Sequence, residues 1–117
     1  PFTVFKCTGL ATMPLLEKVQ SGATLTQQEQ ESFQHFHDRV ERICAKAFEY
    51  QVPVMIDAED SWIQNPIDTV AREMMRKYNQ QQAIVFNTFQ MYRKDMPENL
   101  RNAFHDAAMH NYYLGVK

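Results

Sequence analysis

Glycine is scarce in this chain: Gly9, Gly22 and Gly115 are the only three in 117 residues. A phosphate-cradling loop needs several glycines close together, because backbone N–H groups must approach the ligand with no Cβ in the way. No GxGxxG, GxxxxGK[ST] or GxSxG pattern occurs. That argues against a nucleotide-phosphate loop and against a serine-hydrolase elbow. Cysteine is scarce too. Cys7 lies in a strand-like run and Cys44 on the apolar face of a helix-like run, with no CxxC pair. Two such thiols are expected to be buried and reduced, as in cytosol or mitochondrial matrix. Positive charge is not in excess: 12 Lys and Arg against 14 Asp and Glu leave a net charge of −2. Duplex nucleic acid is therefore not an expected partner. No apolar run approaches the ~20 residues that span a bilayer. Residues 1–11 lack the basic start and long apolar segment of a secretory signal. The histidines do not form a metal-binding pattern: His35 and His37 are two apart on a predicted helix, His105 and His110 five apart, and no HExxH occurs. No metal site is expected.

What is present is an ordinary globular composition, 44% hydrophobic and 22% charged, in a chain long enough for one domain with a modest core. The centre of its organisation is Val52-Pro53-Val54-Met55-Ile56-Asp57-Ala58-Glu59-Asp60. An apolar, strand-forming run stops abruptly at acid. A strand buried on both faces reads as a continuous hydrophobic run, and in parallel α/β sheets chemistry sits beyond the carboxyl ends of the strands. Asp57 is thus the first candidate for a working residue.

Around this centre the pattern alternates. Phe2 to Leu10 is strand-like, interrupted by Lys6, and a lysine inside a buried strand needs a partner. Met13 to Val19, with Pro14 near its start, suits a short helix. Thr26 and Glu29 form a capping box. Phe33, Phe36, Val40, Ile43, Ala47 and Phe48 then recur at helical spacing, predicting a long amphipathic helix over Gln27 to Tyr50 with a charged, solvated outer face. After the central strand, Asn65-Pro66 reads as a helix cap and first turn. Ile67, Val70, Ala71, Met74 and Tyr78 mark the buried face of a helix ending near Asn79, with Met74 and Met75 filling core. Ala83-Ile84-Val85-Phe86 is a further buried strand ending at Asn87 and Thr88. Asp95 and Glu98 form a second capping pattern before a helix with Leu100, Ala103, Phe104, Ala107 and Ala108 on one face. Leu114 opens a further strand.

The order β-α-β-α-β-α-β predicts a parallel sheet with right-handed crossovers. An eight-unit barrel needs roughly 250 residues, so three units and a stub come to about half of one. A small flavodoxin-like sheet fits the length better but lacks its phosphate loop or acidic pocket. The chain opens Pro-Phe-Thr-Val-Phe-Lys without an initiator methionine and closes on strand-like residues, so both termini read as cut from something larger.

Lys6, Asp57 and Asn87 stand at or near three strand ends. On parallel strands a cation, a carboxylate and an amide can share one end of the sheet, where they suit a small zwitterion or a planar heterocycle. The spacing equally allows a buried Lys6–Asp57 ion pair with Asn87 capping the next segment. The weak stabilisation that buried ion pairs give tilts the balance slightly toward a site.

At these residues the sequence resembles a known family. Phe5-Lys6-Cys7-Thr8-Gly9-Leu10-Ala11 is similar to the lysine-bearing strand of proline dehydrogenases, and Val54-Met55-Ile56-Asp57-Ala58-Glu59 to their strand ending in Asp-Ala-Glu. Val85-Phe86-Asn87-Thr88-Phe89-Gln90-Met91-Tyr92 resembles the segment reading Asn-Thr-Tyr-Gln in many members, with Phe89 in place of tyrosine. Gly115-Val116-Lys117 sits where the family runs on into an arginine-containing strand. The resemblance covers essentially the whole chain, in order and with compatible spacing. It implies a single partial domain over residues 1–117, about half of a distorted TIM-like (βα)₈ barrel that binds FAD. It implies oxidation of L-proline to Δ1-pyrroline-5-carboxylate, with a membrane quinone as acceptor. It also implies peripheral association with the inner mitochondrial or bacterial cytoplasmic membrane. Carried over, Asp57 is the active-site carboxylate, Lys6 holds the substrate carboxylate, and Asn87 hydrogen-bonds the flavin ring. The family's flavin-binding arginine strand and the arginine pair that clamps proline find no counterpart within these residues. Little or no proline oxidation is therefore expected of the chain alone. The alternative is a non-catalytic half-barrel or assembly module that self-associates through exposed strand edges.

Overall fold

The computed structural model describes residues 3–90 and 96–117. Three short strands, β1 (Thr3–Phe5), β2 (Val54–Ile56) and β3 (Val85–Asn87), form a parallel sheet in the order β1-β2-β3. Between them run α1 (Met13–Ser21), α2 (Gln27–Tyr50) and α3 (Gln64–Tyr78), and α4 (Met96–His110) follows β3. The order never reverses among the described strands, and parallel crossovers share one hand. The helices therefore lie on one face of the sheet. Both α1 and α2 pack on α3, and α3 packs on β3.

Sequence periodicity explains this layer. Phe36, Val40, Cys44 and Ala47 fall on one stripe of α2, and Ile67, Val70, Ala71, Met74 and Met75 on one stripe of α3. These meet Val54, Ile56, Ile84 and Val85 from the sheet in one buried cluster. Burying a side chain such as Phe36 contributes about 2–3 kcal/mol. Cys7 and Cys44 are both buried and free, and burial pushes each thiol up to about 12, so neither is a ready nucleophile. The α2 bounds match the predicted ones, with the Thr26–Glu29 capping box formed in both directions.

Several boundaries differ from expectation, each for a local reason. β1 ends at Phe5, and Cys7–Gly9 turns as a 3₁₀ segment. The Thr8 N–H leaves the ladder to bond the Glu59 carboxylate, which stops the strand short of Leu10. Phe2, expected at its start, lies outside the described residues, as do Met91, Tyr92 and Asp95 of the patterns above. Asn65 is not a cap. α3 begins at Gln64 after Ile63, with no side-chain cap, and the Asn65 N–H donates instead to the Gln20 Oε1 of α1 at 2.9 Å. The face expected on α4 is only partly used: Ala107 is buried, but Phe104 is exposed. α4 is tied down through polar groups, chiefly Arg76 to Asp106.

The fourth strand exists as one parallel bridge, Asn87 with Val116. The Asn87 N–H donates to Gly115 O and the Lys117 N–H to Asn87 O, both at 3.0 Å. Gly115 is needed there because a Cβ would overlap the Val85 carbonyl.

Candidate active site at the strand ends

The parallel register pairs Thr3 with Val54 and Phe5 with Ile56, an offset of 51 residues. The same offset continues past the strands. Lys6 Nζ lies 3.0 Å from Asp57 Oδ2, and Thr8 bonds Glu59 twice, N–H to Oε2 at 3.0 Å and Oγ1 to Oε1 at 2.5 Å. Two cross-links thus staple the loops that leave β1 and β2. Lys6 is not the buried lysine expected within a strand. It follows β1 and is 58% exposed, with Asp57 31% exposed. The pair is an accessible surface contact, and such pairs contribute little to stability. The hydrogen bond from Lys6 holds the Asp57 carboxyl below its usual range, so it is ionised at neutral pH. The same contact raises the Lys6 ammonium. A cavity beside them is lined by Lys6, Glu59, Trp62 and Gln90.

Asn87 occupies the corresponding end of β3 but turns the other way. It is the register partner of Ile56, and both are buried toward the helices. Its Nδ2 donates to the Asp68 Oδ1 of α3 at 2.9 Å. Its Oδ1 is buried and has no hydrogen-bond partner among the described residues, beside a cavity of about 340 Å³ that Asp68, Arg72 and Tyr112 also line. The structure therefore joins Lys6 to Asp57 and leaves Asn87 at the same sheet end on the opposite face. Thr88, next along, donates its hydroxyl to Ile56 O at 3.1 Å and ties β3 back to β2.

Two residues that sequence reading passed over matter here. Gln64 is buried and accepts the Glu59 N–H at 2.8 Å on Oε1, while its Nε2 donates to Asp68 Oδ1 at 2.7 Å. The four-residue spacing of Gln64 and Asp68, which makes them side-chain neighbours if both lie on one helix, was the available signal.

The fold and site define an α/β protein whose parallel sheet gathers an accessible ion pair and a buried amide at its carboxyl ends. The family model described as proline dehydrogenase matches residues 8–117, and the chain belongs to that family. It is 37% identical over 89 residues to the Drosophila melanogaster protein "Proline dehydrogenase 1, mitochondrial", covering 76% of this chain and 13% of that protein. It is 35% identical over 106 residues to the Arabidopsis thaliana protein of the same name, covering 89% and 21%. Over all 117 residues it is 29% identical to "Carbapenem antibiotics biosynthesis protein CarD" of Pectobacterium carotovorum subsp. carotovorum, of which it covers 31%. The chain thus spans less than a third of the length of these relatives. No solved structure matches it. Among the described residues, no helix is long and apolar enough to cross a membrane.

Proposed function

We propose that the chain supplies about half of a TIM-like (βα)₈ barrel for FAD-dependent oxidation of L-proline to Δ1-pyrroline-5-carboxylate. Family membership carries this reading. The sequential strand order with helices on one face suits a barrel segment, since a doubly wound sheet reverses direction. The donor set suits a flavin in kind: the Asn87 Oδ1 is a buried acceptor without a partner among the described residues, which a ring N–H can satisfy. When bound, the flavin supplies the hydride acceptor. The remaining work falls to side chains. Lys6 offers a cation to the substrate carboxylate. Asp57, kept ionised by Lys6, favours positive charge at the substrate nitrogen. A membrane quinone is the proposed final acceptor, which places the protein at the periphery of the inner mitochondrial or bacterial cytoplasmic membrane.

The Lys6–Asp57 pair provides one wall of such a pocket, so the 117 residues alone should oxidise little or no proline. The FAD-supplemented chain, given proline and a dye acceptor, should show no turnover above a protein-free control. Trp62, half-exposed beside Lys6, should report FAD binding by fluorescence quenching. Robust turnover would sink the half-barrel reading, and unquenched Trp62 with a colourless protein would count against the cofactor. A second reading, a non-catalytic assembly module that pairs with copies of itself, draws on the exposure of Val4 on the uncovered side of β1.

A further inference from the structure

The orientation of the Asn87 amide is dictated by a chain of groups whose hydrogen-bonding roles are fixed. It starts at the Glu59 backbone N–H, which can only donate. Gln64 must therefore turn its oxygen, Oε1, toward Glu59, at 2.8 Å. That leaves the Gln64 amide nitrogen to face Asp68, where it donates to Oδ1 at 2.7 Å. A carboxylate oxygen accepts, and this one takes a second donor, the Asn87 Nδ2, at 2.9 Å. With its nitrogen committed, Asn87 has its oxygen left over, buried and without a partner among the described residues. At its far end the chain is anchored by the Glu59 carboxylate, held by two bonds from Thr8. The relay thus runs across the carboxyl ends of all three strands, from the β1 loop through the β2 loop and the start of α3 to the tip of β3.

We infer that Asp68, held in place by Gln64 and the Glu59 backbone, is a positioning residue that sets which end of the Asn87 amide faces the adjoining cavity, making Asn87 an obligate acceptor for an N–H-bearing ligand edge. An amide free to rotate would present donor and acceptor alternately and select neither. Here a carboxylate, which can only accept, fixes the polarity of the site, and Gln64, oriented by the Glu59 N–H, holds that carboxylate in place. The relay stands on the geometry alone; its use toward the flavin rests on the function proposed above.

The test is side-chain amide NMR on the 117-residue protein. The Asn87 NH₂ protons should exchange with solvent at least about tenfold more slowly than those of the exposed Asn102 and Asn111, the protection expected of a bond to a charged group. Asp68→Leu should abolish that protection, with backbone amides of β2 and β3 reporting that the fold persists, and Gln64→Leu should reduce it by releasing one of the two bonds that hold the Asp68 carboxylate. Asp68→Asn should restore it, because an asparagine oxygen can accept both bonds. Rapid exchange in the unaltered protein, or unchanged exchange in a folded Asp68→Leu, overturns the relay. A parallel FAD titration separates the two claims. Asn87→Leu and Asp68→Leu should each weaken binding about tenfold and Asp68→Asn should not. Normal FAD affinity in Asn87→Leu, with the NMR result intact, keeps the relay and removes the flavin from it.

Discussion

At the residue scale the charged groups divide into those that are available and those that are spent. Lys6 and Asp57 are paired yet accessible, the condition in which either can exchange its partner for a ligand. Asp106 is spent. Its carboxylate accepts from the Arg76 guanidinium at 2.5 and 3.2 Å and from the Tyr112 hydroxyl at 2.6 Å. Arg76 first, with Tyr112 assisting, holds it down to about 2 from its ordinary 3.8. A carboxyl depressed in the folded state stabilises above its unfolded value and loses that contribution as pH falls toward its folded one. Tyr112 is pushed up to about 12, by burial first and then by Asp106, so its contribution is present below about pH 10 and fades above it. Urea midpoints followed against pH should therefore fall for the unaltered chain between about pH 4 and pH 2. Asp106→Asn should flatten that limb and cost on the order of 1 kcal/mol at neutral pH, after allowance for solvent screening. Parallel acid limbs in the two proteins would remove Asp106 from the explanation. None of this was legible beforehand. Asp106 reads as one more charge on a helix until the fold sets Arg76, thirty residues earlier, against it.

At the element scale the connection from α3 to β3 depends on Asn79. Its Oδ1 accepts from the Ile84 and Val85 N–H groups at 3.0 and 2.9 Å, and its Nδ2 donates to Val85 O and Tyr113 O at 2.9 and 2.8 Å. Its backbone is used as well, N–H to Met75 O and carbonyl from the Tyr113 N–H. The residue thus closes a helix through its backbone, and through its side chain starts a strand and receives the C-terminal segment. Asn79→Ala strands several buried backbone groups and should cost about 3 kcal/mol or more in chemical denaturation. Hydrogen exchange at Ile84 and Val85 should accelerate with it. A loss no larger than that of a surface substitution would show the bonds to be replaceable by water. Sequence marked Asn79 as a helix end because local pattern governs where a helix stops. Its hub role was invisible because Val85 and Tyr113 reach it only in the folded chain. The same division separates Thr26, whose capping box is written within four residues, from Asn65, whose N–H is satisfied by Gln20 of another helix.

At the scale of the molecule, the described helices cover one face of the sheet and, among the described residues, leave the other open. Met55 and Phe86, register neighbours of Val4, are only partly buried on that face, and Val4 is 55% exposed. Parallel sheets are stable with both faces covered, so a second copy of the chain is the expected occupant when nothing else is supplied. Sedimentation velocity should show a weight-average mass that rises with concentration. Val4→Lys, which places a charge on the open face, should shift the profile back toward monomer. A concentration-independent monomer in both proteins would refute self-association. The barrel reading places the same face inward, toward an interior that these residues only partly enclose.

Sequence alone determined the alternation of strand and helix, the stripes of α2 and α3 that become the core, and the placement of Lys6, Asp57 and Asn87 near strand ends. These follow from periodicity and from abrupt apolar-to-polar boundaries, both local properties of a chain. Its resemblance to proline dehydrogenases was equally legible, because the quoted segments recur in order. Tertiary structure decided the rest. It made the Lys6–Asp57 pair accessible rather than buried and turned Asn87 to the helix side. It also linked Glu59, Gln64 and Asp68 behind Asn87. A strand's pleat gives each residue a face, but only the register of three strands and the helix laid across them determine which groups meet there.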